Sequence, residues 1–206
     1  PQALEEKDGW QNSETAAAFS RFAAMMAAHF EGRVSHFITL NEPQIVLKLG
    51  YADGIHAPGK RLSLPELVSC WKNLMLAHGL SFRAIRKAAP EALIGIASTG
   101  KLCYPHSPAD EDAARQETFR LTDSDWMFTH AIVLDAVCLG RDEPEAGALR
   151  KLLSEVTPEE WDTMHAVPDF IGVNSYNGSE IAAGPDGAPV YLPRPQGFAC
   201  PALKWT

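Results

Sequence analysis

Apolar positions along this chain follow two alternating rhythms. After Ser13 they recur at spacings of three and four, at Phe19, Phe22, Ala23, Met26 and Phe30. That is the stripe of an amphipathic helix, capped by Ser13 and broken by Gly32. Phe37–Leu40 is a short continuous apolar run, which predicts a buried strand. A loop with Gly50, Gly54, Pro58 and Gly59 follows. Ser63-Leu64-Pro65-Glu66 is a capping box. The helix it opens carries Leu67, Trp71, Leu74 and His78 on one face and runs to Lys87, despite Gly79. Ala92–Ala97 predicts a second strand, then an irregular stretch runs from Ser98 to Pro108. A helix is expected from about Ser124 to Gly140, and another behind the capping box Thr157-Pro158-Glu159-Glu160. Phe170–Val173 predicts a third buried strand. The Gly- and Pro-rich tail, Asn177 to Thr206, reads as a long loop.

Three continuous apolar strands separated by helices indicate an α/β fold, a parallel sheet covered on both faces. Each run ends in polar groups: Asn41-Glu42-Pro43 after the first, Asn174-Ser175-Tyr176 after the third. The C-terminal edge of such a sheet is where ligands bind, because rigid strand ends aim side chains into one place. A carboxylate held beside an apolar strand is partly desolvated, which raises its pKa toward neutrality and suits it to proton delivery. Asn41 offers a donor and an acceptor beside it, a match for a hydroxyl-rich ligand.

Composition narrows the partners. The 206 residues are 46% hydrophobic with a net charge of −8. That suits one globular domain and argues against nucleic-acid or anionic-membrane partners. No apolar run reaches the roughly 18 residues a membrane span needs. The opening PQALEEKDGW lacks Met and a secretory pattern, and reads as the middle of something longer. Cys70, Cys103, Cys138 and Cys200 lie far apart without a CxxC pair, the pattern of reduced thiols in a cytoplasmic protein. The seven histidines show no ligand spacing and no Gly-rich phosphate loop follows a strand, so neither metal nor cofactor is expected. His78 reads as a packed, hydrogen-bonded histidine, and His56 as a residue that orders its loop. Trp126, Trp161 and Trp205 could stack on a sugar, but Trp126 and Trp161 fall in expected helices and read as core.

Five segments carry a resemblance: TLNEP (Thr39–Pro43), PQALEEKDGWQN (Pro1–Asn12), GYADGIHAPG (Gly50–Gly59), NLMLAHG (Asn73–Gly79) and DFIGVNSY (Asp169–Tyr176). In order and spacing the chain resembles the family 1 glycoside hydrolases, the β-glucosidase, β-galactosidase and 6-phospho-β-glucosidase group. The resemblance implies a retaining β-glycosidase on a (β/α)8 TIM barrel. Residues 1–206 would be the central segment of that one domain, with strands four to six. It further implies Glu42 as general acid/base and Asn41 as partner of the sugar 2-hydroxyl. Asn174 would support the leaving-group side, and Tyr176 would point its hydroxyl toward the nucleophilic carboxylate.

The departures matter equally. The family's nucleophile is the Glu of an I/V-T-E-N-G motif on the seventh strand, and the chain has no such motif. Glu180 is close in sequence to Tyr176 but is expected in the loop after strand six, and is not taken as its substitute. Thr99 stands where many members have Asn, and the family's L-D-P-x-F run is Leu134-Asp135-Ala136-Val137-Cys138 here. The loop that would read a 6-phospho-sugar belongs near the eighth strand. A β-glycoside substrate and the remainder of the barrel are therefore the expected partners, with homo-oligomerisation left open. The second reading is a truncated, non-hydrolytic sugar-binding or scaffold module of the same fold.

Overall fold

The computed structural model describes residues 1–142 and 144–194. Its helices are α1 (Gln2–Glu5), α2 (Ser13–Phe30), α3 (Pro43–Ile45), α4 (Leu64–Ala88), α5 (Glu111–Phe119), α6 (Ala131–Leu134), α7 (Ala148–Leu153) and α8 (Pro158–Met164). The strands are β1 (His36–Asn41), β2 (Leu93–Thr99), β3 (Cys103–Pro105), β4 (Phe170–Asn174), β5 (Ser179–Ala183) and β6 (Pro189–Tyr191).

The three strands expected from the apolar runs form one parallel sheet in the order β1-β2-β4. Gly95 of β2 pairs with Ile38 on one side and Phe170 on the other, and Thr99 pairs with Asn174. All three C-terminal ends therefore finish along one edge. At the other end, Asp169 Oδ2 accepts from Ile94 N at 2.7 Å and pairs with Arg86, which also donates to Ala92 O at 2.7 Å. These bonds tie the start of β4 to β2 and α4.

The core lies on the outer face of the sheet. Leu67, Trp71, Leu74 and His78 of α4 are buried, as their spacing predicts. Trp71 and Leu74 pack with Ile96, Trp126, Ile132, Leu149 and Met164, and Trp71 Nε1 donates to Ile132 O at 2.8 Å. Burial of each large apolar side chain contributes about 1.5–3 kcal/mol.

The structure corrects several expectations. Asn12, not Ser13, caps α2, accepting from Glu14 N at 2.9 Å. The buried stripe of α2 is Ala16, Ala23 and Ala27, while Phe22 is 53% exposed. Small residues take the most buried positions, and Phe19 packs only partly against the core. The helix expected from Ser124 starts only at Ala131, because Thr122 and Asp125 close a turn on each other and Thr129 Oγ1 takes the Ala131 N–H at 3.0 Å. Trp126 is consequently not helical, though it is buried, and Trp161 lies in α8. A wider turn over Asp135–Leu139 continues α6 to Gly140, whose φ of +68° ends it.

The stretch after β2 and the tail hold a second sheet, in the order β3-β5-β6, where the sequence suggests only loops. Ile181 is buried against Cys103, Ala113 and Ala114 of β3 and α5. Lys101 bridges Glu117 and Asp125 at 2.7 and 2.6 Å, and Tyr191 OH donates to Glu117 at 2.7 Å. Short strands with few apolar residues give little periodic signal, so these polar ties are invisible in the sequence. Trp205 and Cys200 lie outside the described residues. The apolar run of β4 predicts full burial. Instead β4 is an outer strand of its sheet, and Ile171 and Val173 are 44% and 62% exposed although Ile96, the register partner of Ile171, is covered.

Candidate active site

β1 does not end straight. Its pairing with β2 slips by one residue between Ile38 and Asn41, a bulge that turns the strand tip. Glu42 then takes a left-handed backbone, φ +50° and ψ +56°, uncommon for a residue with a side chain. Its N–H still bonds Ala97 O at 2.8 Å, so it remains attached to the sheet. Pro43 follows at the first position of α3, where its missing N–H costs nothing. The tip thus holds the carboxylate on rigid backbone, facing the sheet edge.

Two further polar residues singled out by the sequence converge on it. Asn174 Nδ2, at the end of β4, donates to Glu42 Oε1 at 2.7 Å and to Asn41 Oδ1 at 3.1 Å. Thr99 Oγ1 at the end of β2 donates to Asn174 O at 3.2 Å, so the middle strand braces the outer one. Beside this cluster opens a cavity of about 420 Å³, lined by Glu42, Ile45, Leu49, Phe128, Tyr176 and Asn177 among others. Glu42, Asn41 and Asn174 are therefore in one hydrogen-bonded group, and Tyr176 shares the cavity wall with Glu42. His56 also lines the cavity. Its backbone orders the loop, taking Leu49 O with its N–H and giving its carbonyl to Gly59 N.

Sequence reasoning missed the layer beneath. Gln44 is 1% exposed and bonds Ser98 and Thr129, and Ser98 contacts His130 at 2.9 Å. Burial pushes the His130 imidazole down from its ordinary value and keeps it neutral. The signal that could have found Ser98 is its position, a hydroxyl directly after the apolar run ALIGIA. Glu180 lies on β5, and its carboxylate is 2.8 Å from His106 Nδ1 and holds that imidazole's pKa above its ordinary value. Among the described residues no three His, Cys, Asp or Glu side chains gather as a metal site would require, and no helix is long and apolar enough to cross a membrane.

The arrangement is a carboxylate on a rigid strand end, two amides and a largely apolar cavity at the C-terminal edge of a parallel sheet. Comparison with known proteins identifies the family. Beta-glucosidase A of Thermotoga maritima is 30% identical over 190 residues, covering 90% of this chain and 41% of that protein. Beta-glucosidase 25 of Oryza sativa subsp. japonica is 35% identical, covering 85% and 37%. Among solved structures, the virulence factor SghA in complex with its substrate analog salicin superposes with a TM-score of 0.79 at 26% identity, covering all of this chain and 45% of that one. The Thermotoga maritima beta-glucosidase in complex with noeuromycin gives a TM-score of 0.77 at 26% identity, covering all of this chain and 44% of that one. The chain thus spans less than half the length of these relatives, and its sheet is part of a (β/α)8 barrel. The family model described as glycosyl hydrolase family 1 matches residues 1–189; the chain belongs to glycosyl hydrolase family 1.

Proposed function

We propose that the chain is the central segment of a retaining β-glycosidase acting on β-glucosides or related β-glycosides, with Glu42 as its general acid/base. The observation that carries this reading is the bond from Asn174 Nδ2 to Glu42 Oε1 at 2.7 Å, with Asn41 in the same cluster. In the first step the Glu42 carboxyl protonates the glycosidic oxygen as the bond to the anomeric carbon breaks. In the second its carboxylate takes a proton from the water that releases the sugar. Asn41 binds the 2-hydroxyl and Tyr176 directs its hydroxyl toward the nucleophile. Asn174 orients Glu42 and supports the leaving-group side.

Retention requires a second carboxylate about 5–5.5 Å from the first, on the other side of the anomeric carbon. The chain has no I/V-T-E-N-G motif, and Glu180 is engaged by His106. The nucleophile therefore comes from the remainder of the barrel, which is the partner this segment requires. The free thiols of Cys70, Cys103 and Cys138 suit a reducing compartment, and the cytoplasm is the proposed location.

The test is Glu42→Gln in the full-length protein. It keeps the shape and removes the acid, so glycosides with poor leaving groups should slow by about 10²–10⁴. Dinitrophenyl glycosides need little protonation and should lose less in the first step. Added azide should restore turnover as a β-glycosyl azide. Equal losses across leaving groups, with no azide product, would remove Glu42 from this role; no turnover by the unmutated full-length protein would favour a non-hydrolytic sugar-binding module.

A further inference from the structure

A buried amide stands directly behind the proposed acid. Gln44 is separated from Glu42 by Pro43 alone, and it is 1% exposed. Its Nε2 donates to Ser98 Oγ at 2.7 Å and to Thr129 O at 3.2 Å, and Thr99 N approaches its Oε1 at 3.5 Å. A backbone carbonyl only accepts and a backbone N–H only donates, so these two partners fix the orientation of the side-chain amide. Ser98 Oγ, having accepted from Gln44, is also hydrogen-bonded to His130 Nδ1 at 2.9 Å. His130 is buried, so this contact lies out of water. The chain Gln44–Ser98–His130 therefore runs without a break from the turn after Glu42 through the end of β2 to the start of α6.

Glu42 needs such support. A left-handed conformation at a non-glycine residue costs about 1–3 kcal/mol and persists where its surroundings over-determine it. On the N-terminal side the Glu42 N–H bonds Ala97 O. On the C-terminal side Pro43 has no N–H to anchor, and Gln44 is the first side chain after Glu42 that grips another element. We infer that Gln44 is a positioning residue for the acid/base carboxylate, clamping the turn that carries Glu42 to the end of β2. The inference rests on the reading of Glu42 as acid/base. Its weight comes from distance tolerance. A proton moves between heavy atoms about 2.6–3.2 Å apart, and a misplacement of about 1 Å can cost about 10²-fold.

The experiment separates positioning from packing by leaving group. Gln44→Met in the full-length protein keeps length and volume and removes every hydrogen bond. A displaced acid should lower kcat/KM for alkyl β-glucosides by about 10-fold or more, and for 2,4-dinitrophenyl β-glucoside by less than about 3-fold. Ser98→Ala removes the middle of the chain and should give the same pattern with a smaller loss. It carries the test if Gln44→Met does not fold, as judged by thermal unfolding. Equal losses on both substrates, or none, would overturn the inference. Glu42→Gln is measured alongside. Leaving-group dependence there but not in the Gln44 and Ser98 variants overturns the clamp alone; its absence in Glu42→Gln overturns the acid assignment and the clamp together.

Discussion

His78 has both ring nitrogens engaged inside the core. Nε2 lies 3.0 Å from Ala166 O and Nδ1 lies 2.7 Å from Thr39 Oγ1. The carbonyl can only accept, so Nε2 carries the proton and Thr39 donates to Nδ1. Burial pushes the His78 pKa down to about 4. An unfolded histidine titrates near 6.5, so between these values the unfolded chain binds a proton that the folded one refuses. Stability is then fully present above pH 6.5 and falls as pH drops toward 4, by up to about 3 kcal/mol. His130, also held down by burial, acts in the same direction. Denaturant midpoints of the full-length protein between pH 7.5 and 4.5 should show this slope, and His78→Gln should flatten part of it. Parallel curves for the two proteins would exclude His78 as the source. At this scale the sequence is informative where a polar residue ends an apolar run, as with Asn41, Glu42 and Asn174. It is silent on Gln44, because nothing in one amide's sequence neighbours reveals that it will be sealed under a strand tip.

Gly79 gives the same lesson for elements. Its presence inside α4 is unexplained by helix periodicity, since Ala would favour the helix by about 1 kcal/mol. The packing supplies the reason. A Cβ at Gly79 would overlap Thr163 O, on α8. Arg83 donates to Gly79 O at 3.0 Å and to Thr163 O at 2.6 Å, locking the two helices at this approach. Overpacking against backbone costs about 1–3 kcal/mol and more where nothing can yield. Gly79→Ala should therefore lower the melting temperature of the full-length protein, against the propensity gain. An unchanged or raised Tm would show that α8 can move away. Capping boxes at Ser63 and Thr157 make α4 and α8 legible from the order of residues alone. The start of α6 is not, because a turn closed by Thr122 and Asp125 competes with the helix over the same residues.

For the whole molecule, the three-strand sheet sets the behaviour. Among the described residues β1 and β4 are its two outer strands, and Ile171 and Val173 are largely uncovered. Unpaired edges and exposed apolar strand faces favour association. The 206-residue chain produced alone should be aggregated or molten, or should pair with complementary segments of the barrel. A sharp, cooperative unfolding transition from a monomer would contradict this. Purified alone it should also fail to turn over a fluorogenic β-glucoside; turnover that vanishes in Glu42→Gln would mean that one of its own carboxylates serves as nucleophile. The sheet is legible because its strands are continuous apolar runs, whereas β3, β5 and β6 are short and held by Lys101, Glu117 and Tyr191 rather than by pattern. The register of the large sheet has one more implication. His36 pairs with Leu93, and Gly95 with Phe170. As the polypeptide leaves the ribosome, β1 must therefore wait until all of α4 has been made before β2 can join it. β2 in turn waits for β4 to cover its other side. Long-range parallel pairing of this kind is slow. During that wait the edge of β1 that will meet β2 stays unpaired, a natural client for chaperones during translation.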